Sequence, residues 1–438
     1  MHTDDKEPRL HIDMESVLID QPIGIKVDGL SNEQKITVRC KRTSCWGTTM
    51  YEMESYGTYI ADSLGLIDLQ KMAPIEGTYK GIDGMGLFWS MQIVRTQENN
   101  MNVLDKLQPH VVYISIESQE QTIDTQVITR RWMDEAVTRT PVNEKGIVGT
   151  FFHHSDSKSR PALLVVGGSE GGVYEFPASL LASHGFNVLA LGYWGIDPLS
   201  RELVNIPLEL VENAIHWLKA KQETTNDFIG IHGTSKGAEL ALLAALHFKE
   251  IKAVVALNGS PVVFCGIEPW TDRDELLPAW TFRGKPISYA RRDNSVEIAK
   301  TCRNLRNAGE NPLRIWYDYL AADPDITKQA TIPVEEINGP ILFISGTEDA
   351  CFDSVQLNKI AMERLKKHNF KHKYEHLIYE GAGHELGIPN IVISCSHFTG
   401  GIQYDTAQAS KNSWEKTIHF FTSSSLTGHY CGNEEEES

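Results

Sequence analysis

The sequence predicts a chain of two parts, an all-β sandwich over residues 1–133 followed by an α/β domain over residues 134–438. Three observations support this prediction. The chain has 438 residues, which is more than one ordinary domain holds. Its first part contains short strand-like segments with turn signals between them. Its second part alternates continuous apolar runs with amphipathic helical patterns, which is typical of a mostly parallel sheet with helices on both faces.

The strand-like segments of the first part have no long helical pattern between them. Examples lie at residues 23–27, 35–39 and 111–115, and the turn signal Asp28-Gly29 follows the first of them. A cluster at residues 80–90 mixes glycines with large apolar side chains, and we expect it to form a packed turn. Short strands separated by turns in this way favour a small sandwich.

The second part is expected to hold the parallel sheet. Its apolar runs and helical patterns lie at residues 161–166, 178–183, 187–191, 208–218, 228–232, 238–246, 253–257 and 340–344. From about residue 260 to 330 the alternation lapses into aromatic, loop-like sequence, which predicts an insertion where a lid over an active site is expected. The acidic run Glu434–Glu437 predicts a solvated C-terminal tail.

Composition and charge argue against several classes of function. The formal net charge is −17, whereas non-specific binding of nucleic acid needs a basic surface. No apolar run reaches the ~18 residues of a membrane-spanning helix, so no membrane span is expected. The sequence shows no secretory, transit or peroxisomal signal, and we expect a cytoplasmic protein. Its seven cysteines are scattered without a CxxC pair, which predicts reduced thiols and no metal site.

A G-x-S-x-G motif, Gly233-Thr-Ser-Lys-Gly237, supplies a candidate nucleophile. The motif alone is frequent by chance, but here it directly follows the apolar run 228–232 and opens the helical pattern 238–246. A strand, a sharp glycine-lined turn and a helix form the nucleophile elbow of the α/β-hydrolase fold. We therefore predict that the second part has the α/β-hydrolase fold and that Ser235 is its nucleophile. An ordinary serine in a glycine-rich turn is the alternative.

A serine hydroxyl needs a general base, and the chain order Ser, Asp, His of this fold selects one among 16 histidines. His384 lies in a short glycine-rich loop near the C-terminus and is the candidate base. The orienting carboxylate should follow the last clear apolar run, where Asp349 is the candidate and Glu348 and Asp353 are rivals. The spacing therefore predicts a triad of Ser235, Asp349 and His384.

A tetrahedral oxyanion needs two hydrogen-bond donors. We expect one from the backbone N–H of Lys236, the residue after the nucleophile. The other should come from the glycine-rich loop 167–172, where Ser169 and Glu170 are the candidates. A phosphate cradle is the alternative for this loop, but the loop lacks the G-x-G-x-x-G spacing.

Beyond single motifs, many collinear segments resemble one family, the acyl-CoA thioesterases grouped with bile acid-CoA:amino acid N-acyltransferase. The segments that carry the resemblance are Gly81–Met91, Arg130-Arg131, Thr138–Val142, Val148–Phe152, Glu175–Ala182, Gly233–Leu240, Leu257–Ser260, Ile332–Ile337 and Gly381–His384. They span most of the chain, from about residue 15 to 422. The resemblance implies a β-sandwich before an α/β-hydrolase domain, and it maps the family's triad onto Ser235, Asp349 and His384.

The resemblance also implies an acyl-CoA thioesterase, with coenzyme A as substrate and product and with no cofactor. The acyltransferase branch carries cysteine as its nucleophile, so Ser235 favours an oxyester acyl-enzyme that water can hydrolyse. An acyl-CoA:amino acid N-acyltransferase and an oxyester or dienelactone-type esterase are the alternatives, and an intact triad disfavours a non-catalytic binding module. The sequence sets neither the acyl chain length nor the oligomeric state.

A polyanionic substrate needs a basic patch in this acidic chain, and the insertion supplies one between residues 283 and 306. Its seven positive side chains are Arg283, Lys285, Arg291, Arg292, Lys300, Arg303 and Arg306, against the two negative side chains Asp293 and Glu297. This net charge of +5 predicts a site for the phosphates of coenzyme A, with Arg291 and Arg292 as candidates. A solvated helix and loop surface is the alternative.

Overall fold

The structure is a computed structural model that describes residues 7–46, 48–98, 105–156, 158–221, 223–267 and 276–427. The acidic run 434–437 lies outside these residues. The chain forms two compact units: one comprises the residues up to Asp134 together with Ile388–Ser394, and the other comprises Glu135–Gly387 and the residues from Cys395. The boundary at Asp134 lies one residue from the predicted one, whereas the return of Ile388–Ser394 to the first unit is new.

The first unit is built almost entirely from strands. Its elements are β1 (Arg9–Ile12), β2 (Ser16–Leu18), β3 (Ile25–Asp28), β4 (Lys35–Trp46), β5 (Thr49–Ile60), β6 (Ile67–Asp68), β7 (Glu76–Gly77), α1 (Gly86–Trp89), β8 (Gln92–Glu98), β9 (His110–Ser118) and β10 (Gln121–Arg131). A three-stranded sheet has the order β1-β3-β6, and a seven-stranded sheet has the order β2-β10-β9-β4-β5-β7 with β8 also on β5. This confirms the all-β prediction for the first part.

Alternation along the strands explains how this unit forms a core. In β9 the side chains of Val112, Ile114 and Ile116 are buried, whereas those of Val111 and Tyr113, at alternate positions, are exposed. Successive side chains of a strand point to opposite faces of its sheet, so one face of β9 lies in the core and the other lies outside. The cluster at residues 80–90 contains the single helical turn α1, whose four residues are all buried.

Segment 388–394 completes the first unit from far along the chain. The side-chain amide of Asn390 donates to the carbonyl of Ile19 at 3.2 Å, and the backbone N–H of Ile393 donates to the carbonyl of Trp89 at 3.1 Å. Polar backbone groups that leave water need such partners. The first unit is therefore not one continuous stretch of chain.

The second unit alternates strands with helices. Its elements are β11 (Val137–Glu144), β12 (Ile147–His154), β13 (Arg160–Val166), α2 (Glu175–Ser183), β14 (Asn187–Gly192), β15 (Ile206–Pro207), α3 (Glu209–Lys219), β16 (Thr224–Thr234), α4 (Lys236–His247), β17 (Ile251–Leu257), β18 (Trp280–Phe282), β19 (Lys285–Pro286), α5 (Ser295–Asn307), α6 (Leu313–Ala321), α7 (Pro324–Ala330), a 3₁₀ turn (Val334–Glu336), β20 (Ile341–Gly346), α8 (Ser354–Lys367), β21 (Tyr374–Tyr379) and α9 (Gln403–Thr427).

Eight of these strands form one sheet in the order β11-β12-β14-β13-β16-β17-β20-β21. The strands β14, β13, β16, β17, β20 and β21 are parallel to one another, whereas β12 is antiparallel to both β11 and β14. The side chains of β14 and β20 are buried along their whole length, as expected for strands covered on both faces. This sheet confirms the α/β-hydrolase prediction. None of the helices among the described residues is both long and apolar enough to span a membrane.

The insertion differs from its predicted loop-like character, because it contains three helices. Residues 268–275 of it lie outside the described part of the chain. Helix α5 buries Ala299 and Cys302, and helix α6 buries Trp316 and Leu320. These spacings of three and four residues place each pair on one helix face. Most other residues of α5 are polar, whereas α6 is amphipathic, and these buried side chains form a small separate core with the start of the insertion.

We expect Phe343→Ala to destabilise the second unit. Phe343 is fully buried in β20 between β17 and β21, and removal of a buried aromatic side chain costs about 3–5 kcal/mol. Ile378→Ala on the neighbouring strand β21 is the control, because that side chain is partly exposed. Urea unfolding should give a clearly lower midpoint for Phe343→Ala and a nearly unchanged one for Ile378→Ala. Equal midpoints for the two variants would contradict the central position of β20 in this core.

Candidate active site

The G-x-S-x-G motif forms a sharp turn between β16 and α4. Ser235 adopts φ 55° and ψ −123°, a strained backbone conformation for a residue with a side chain. Its N–H donates to the carbonyl of Leu257 at 2.8 Å, which holds the turn against β17. A Cβ added to Gly233 would lie 2.2 Å from the carbonyl oxygen of Gly237. The motif therefore needs glycine for close backbone contact.

Ser235, His384 and Asp349 form one hydrogen-bonded chain. The Oγ of Ser235 lies 3.0 Å from Nε2 of His384, and Nδ1 of His384 lies 2.8 Å from Oδ2 of Asp349. The rival acids have other positions. Asp353 caps helix α8 and pairs with Arg314 at 2.7 Å. The carboxylate that contacts His384 is therefore the one predicted.

Backbone donors hold the Asp349 carboxylate in place. Its Oδ1 accepts from the N–H groups of Cys351 at 2.9 Å and of Phe352 at 3.4 Å, which leaves Oδ2 for His384. Asp349 is only 2% exposed. A carboxylate fixed in this way sets the orientation of the imidazole and its tautomer.

The Asp349–His384 contact also sets the charge state of the imidazole. Burial of His384 opposes protonation, but the negative charge of Asp349 beside Nδ1, together with the neighbouring side chain of Cys351, outweighs it and holds the pKa of His384 well above its usual value. The protonated imidazole is thus stabilised where it would form during proton transfer from Ser235.

Asn258 joins the two loops that carry Asp349 and His384. The residue follows β17, is fully buried and has φ 42°. Its side-chain amide donates to the carbonyls of His384 at 2.8 Å and Gly383 at 3.3 Å, and its Oδ1 accepts from the N–H of Gly346 at 3.2 Å. Sequence reasoning did not assign Asn258 to the site. A polar residue directly after a buried parallel strand was the available signal.

The loop 167–172 lies against the nucleophile. A Cβ added to Gly168 would lie 2.9 Å from Cβ of Ser235. The hydroxyl of Tyr193 donates to the carbonyls of Gly167 at 2.8 Å and Gly168 at 3.0 Å. This arrangement orients the loop's peptide groups.

The predicted oxyanion donors lie on both sides of Ser235. Lys236 is the first residue of α4, where a backbone N–H has no acceptor within the helix. Across from it, the carboxylate of Glu170 accepts from the N–H of Gly168 at 2.9 Å, so Glu170 braces the loop with its side chain. Ser169 follows Gly168 and is exposed. The structure thus brings Lys236, Ser169 and Glu170 to the surroundings of the serine.

The side chain of Lys236 has a structural role that the sequence did not indicate. Lys236 and Glu239 are 6% and 1% exposed, and the ammonium lies 2.8 Å from the carboxylate. The ammonium also donates to the carbonyl of Phe264 at 2.9 Å, while the indole of Trp280 donates to Glu239. Burial raises the pKa of Glu239 despite the neighbouring ammonium. This buried ion pair ties the insertion to the helix that begins at the elbow.

A cavity of 410 Å³ begins at Ser169 and extends along the insertion. It is lined by Ser169, Cys265, Gly266, Ile267, Arg306, Pro312, Leu313, Trp316, Tyr317 and Phe398. Most of these side chains are apolar, and Arg306 is the charged residue of the set. A largely apolar cavity with a few polar groups is typical of a small-molecule site.

The two arginines predicted to bind phosphate are not among the residues that line this cavity. Arg292 donates to the carbonyl of Tyr319 at 2.6 Å and lies over the ring of Tyr319 at 4.4 Å, so it links the start of α5 to α6. Arg291 is exposed. Arg283 of the same basic segment pairs with Glu212 at 2.7 Å.

One group of potential metal ligands also lies here. Among the described residues, Asp349, Cys351 and His384 have ligand atoms that all lie within 4.8 Å of one another. The sequence prediction of scattered thiols did not foresee a cysteine beside the imidazole.

Comparison with known proteins agrees with this geometry. The model of the BAAT/acyl-CoA thioester hydrolase C-terminal region matches residues 206–426, and the model of the acyl-CoA thioester hydrolase/BAAT N-terminal region matches residues 20–144. Among curated relatives, mouse (Mus musculus) acyl-coenzyme A thioesterase 1 is 29% identical over 92% of this chain and 93% of its own length.

Two other relatives from the same organism show the breadth of the family. Peroxisomal succinyl-coenzyme A thioesterase is 27% identical over 92% of this chain and 93% of its own length. Acyl-coenzyme A amino acid N-acyltransferase 2 is 28% identical over 93% of this chain and 95% of its own length. The predicted resemblance is thereby confirmed, and the chain belongs to the acyl-CoA thioester hydrolase/BAAT family.

Proposed function

We propose that this protein is an acyl-CoA thioesterase that hydrolyses fatty acyl-CoA to free fatty acid and coenzyme A. The observation that carries the proposal is the Ser235–His384–Asp349 chain, with distances of 3.0 Å and 2.8 Å. A largely apolar cavity reaches Ser169, in the loop that lies against Ser235. Membership of the family supports it, because relatives are named as thioesterases. Together these point to acyl transfer from a thioester to Ser235.

The reaction needs four proton transfers through one histidine, two in each half. In the first half, Oγ of Ser235 attacks the thioester carbonyl carbon while Nε2 of His384 takes the hydroxyl proton. Asp349 stabilises the imidazolium, and the backbone N–H of Lys236 with an N–H near Ser169 stabilises the oxyanion. Collapse of this intermediate breaks the carbon–sulfur bond, and the imidazolium returns its proton to the leaving thiolate.

The second half hydrolyses the acyl-enzyme. His384 takes a proton from a water molecule, whose oxygen attacks the ester carbonyl on Ser235. The second oxyanion occupies the same donors, and its collapse frees the fatty acid while the serine recovers its proton. Since His384 relays every proton, Ser235 carries the acyl group and water supplies the second nucleophile, the proposed reaction uses no cofactor.

Acyl transfer to an amino acid is the second candidate function, because one relative is named as an N-acyltransferase. The identity of the nucleophile favours hydrolysis. An oxyester acyl-enzyme on Ser235 is open to water, whereas a thioester acyl-enzyme reacts preferentially with amines. The cavity from Ser169 to Trp316 is proposed to hold the acyl chain, because its walls are mostly apolar.

Recognition of the coenzyme A phosphates is assigned to the basic segment of the insertion. Arg291 is exposed and Arg306 lines the cavity, so both are proposed to face the phosphates. An arginine fork matches phosphate oxygens with two parallel hydrogen bonds. The cytoplasmic location stays a prediction, since one relative is named as peroxisomal.

Purified protein tested against a panel of acyl-CoAs should release free thiol and free fatty acid. Addition of glycine or taurine should leave the acid as the main product, because water deacylates Ser235. Ser235→Ala should reduce turnover by roughly 10⁴–10⁶-fold and abolish labelling by a fluorophosphonate probe. N-Acyl amino acid as the main product would replace hydrolysis with transfer. Turnover of simple oxyesters alone would indicate an esterase, and labelling of Ser235→Ala would place the nucleophile elsewhere.

The acid limb of the pH–rate profile should report His384. The imidazole must be neutral to accept a proton, so activity falls as pH drops through a pKa that Asp349 holds above its usual value. Asp349→Asn should lower kcat by about 10⁴-fold and move the remaining acid limb to lower pH, because the stabilising charge is gone. Asp353→Asn is the matched control, since this acid pairs with Arg314. A shifted limb in Asp353→Asn would reassign the orienting acid.

Substitutions in the basic segment should separate phosphate binding from structural support. Arg291→Ala combined with Arg306→Ala should raise KM for acyl-CoA about tenfold, or ~1.4 kcal/mol, and hardly change turnover of a phosphate-free thioester. Arg292→Ala should affect both substrates alike, because its contacts are with Tyr319. Arg283→Ala is the control, since Glu212 already pairs with that guanidinium. Equal KM for acyl-CoA in the double variant and the wild type would place the phosphates elsewhere.

A further inference from the structure

Cys351 has a position that the proposed hydrolysis does not use. It lies two residues after Asp349, in the turn that follows β20, and its side chain is partly buried. The carboxylate of Asp349 accepts the backbone N–H of Cys351, which folds the turn back toward its own start. The thiol donates to the carbonyl of Phe398 at 3.3 Å. The sulfur, the Asp349 carboxylate and the imidazole of His384 are mutual neighbours, and the carboxylate lies at Nδ1 of the imidazole.

These three side chains present one sulfur, one nitrogen and one oxygen ligand atom, all within 4.8 Å of one another. Thiolate, imidazole and carboxylate are the three ligand types that Zn²⁺ takes in proteins. With metal–ligand bonds of about 2.0–2.3 Å in a tetrahedron, ligand atoms lie roughly 3.3–3.6 Å apart. The 2.8 Å separation of Nδ1 and Oδ2 therefore needs to open by about 0.5–0.8 Å, and a separation at the 4.8 Å limit needs to close by about 1.2–1.5 Å.

We propose that Asp349, Cys351 and His384 form an inhibitory site for a thiophilic divalent cation, with Zn²⁺ as the best fit. The inhibition rests on the proposed hydrolase function, whereas binding of the metal does not. Three protein ligands leave a fourth position for water, and the soft thiolate selects Zn²⁺ over Mg²⁺ and Ca²⁺, which prefer oxygen ligands.

Metal binding at this site disables the base without distorting the elbow. The metal takes the lone pair of Nδ1, so the proton of the neutral imidazole moves to Nε2, and the thiol of Cys351 releases its proton to solvent. Nε2 then carries hydrogen and cannot accept the hydroxyl proton of Ser235, which lies 3.0 Å away. Asp349 becomes a ligand of the metal and no longer supports an imidazolium.

Binding is measured first, independently of activity, with Co²⁺ as a spectroscopic substitute for Zn²⁺. Ser235→Ala leaves the three ligands in place and removes the nucleophile. Addition of Co²⁺ to this variant should produce thiolate-to-metal charge-transfer absorption that one equivalent of Zn²⁺ abolishes. The additional change Cys351→Ala should remove the absorption, and Cys395→Ala, at an exposed cysteine, should not. Absence of the absorption in Ser235→Ala, or its persistence without Cys351, overturns the proposal.

Inhibition is measured next on the wild-type protein with an oxyester substrate, because the thiol of coenzyme A would itself bind the metal. Micromolar Zn²⁺ should stop turnover, a chelator should restore it, and Mg²⁺ should have no effect. Cys351→Ala and the nearly isosteric Cys351→Ser should each require at least about tenfold more Zn²⁺ for half-inhibition, with every rate normalised to the same variant without metal.

The outcomes separate the two proposals. Equal sensitivity to Zn²⁺ in the wild type and both Cys351 variants overturns the assigned site. If no substrate of any class is turned over, the proposed function fails, and the Co²⁺ absorption of Ser235→Ala still decides whether the metal binds at Cys351.

Discussion

The close approach of Gly237 to the carbonyl of Gly167 is the constraint on which the candidate site depends. A Cβ on Gly237 would lie 2.1 Å from that oxygen, and real side chains never come so near. The contact exists because β13 and β16 are parallel neighbours, with Val166 opposite Gly233 at their ends. The loop that follows β13 and the elbow that follows β16 are therefore in direct contact. Donors from both can converge on an acyl group held at Ser235.

The same edge of the sheet supplies the remaining groups. Strands β16, β17, β20 and β21 are consecutive and parallel, and Ser235, Asn258, Asp349 and His384 follow their carboxyl ends in that order. Functional groups of open parallel sheets gather at this edge for that topological reason. Asn258 forms hydrogen bonds with both the segment before Asp349 and the loop of His384, and so it helps to fix the distance between these two loops. The buried ion pair of Lys236 and Glu239 links the insertion to the helix that begins at the elbow. The free-energy cost of removing these two charges from water is offset by hydrogen bonds with the insertion.

The site residues that could be predicted from the sequence are those whose positions the sheet topology constrains. Ser235, Asp349 and His384 were accessible because strand ends, glycine turns and chain order leave few choices. Asn258 was not assigned, because its role depends on two loops distant in sequence. The helices of the insertion were missed, since α5 is mostly polar and buries few side chains, and the amphipathic α6 is only nine residues long. The packing of α5 determines which arginine lines the cavity, and no local sequence pattern predicts that packing.

Segment 388–394 gives the chain a property that neither unit has alone. Four residues after His384 the chain leaves the second unit, completes the first through Asn390 and Ile393, and returns at Cys395. The sandwich is thus not a module that can be exchanged by one cut near residue 134. A gene fusion or truncation at that point would leave Ile388–Ser394 without the groups of Ile19 and Trp89 that accept its hydrogen bonds. A chimaera that keeps the sandwich intact must therefore carry Ile388–Ser394 together with the residues up to Asp134.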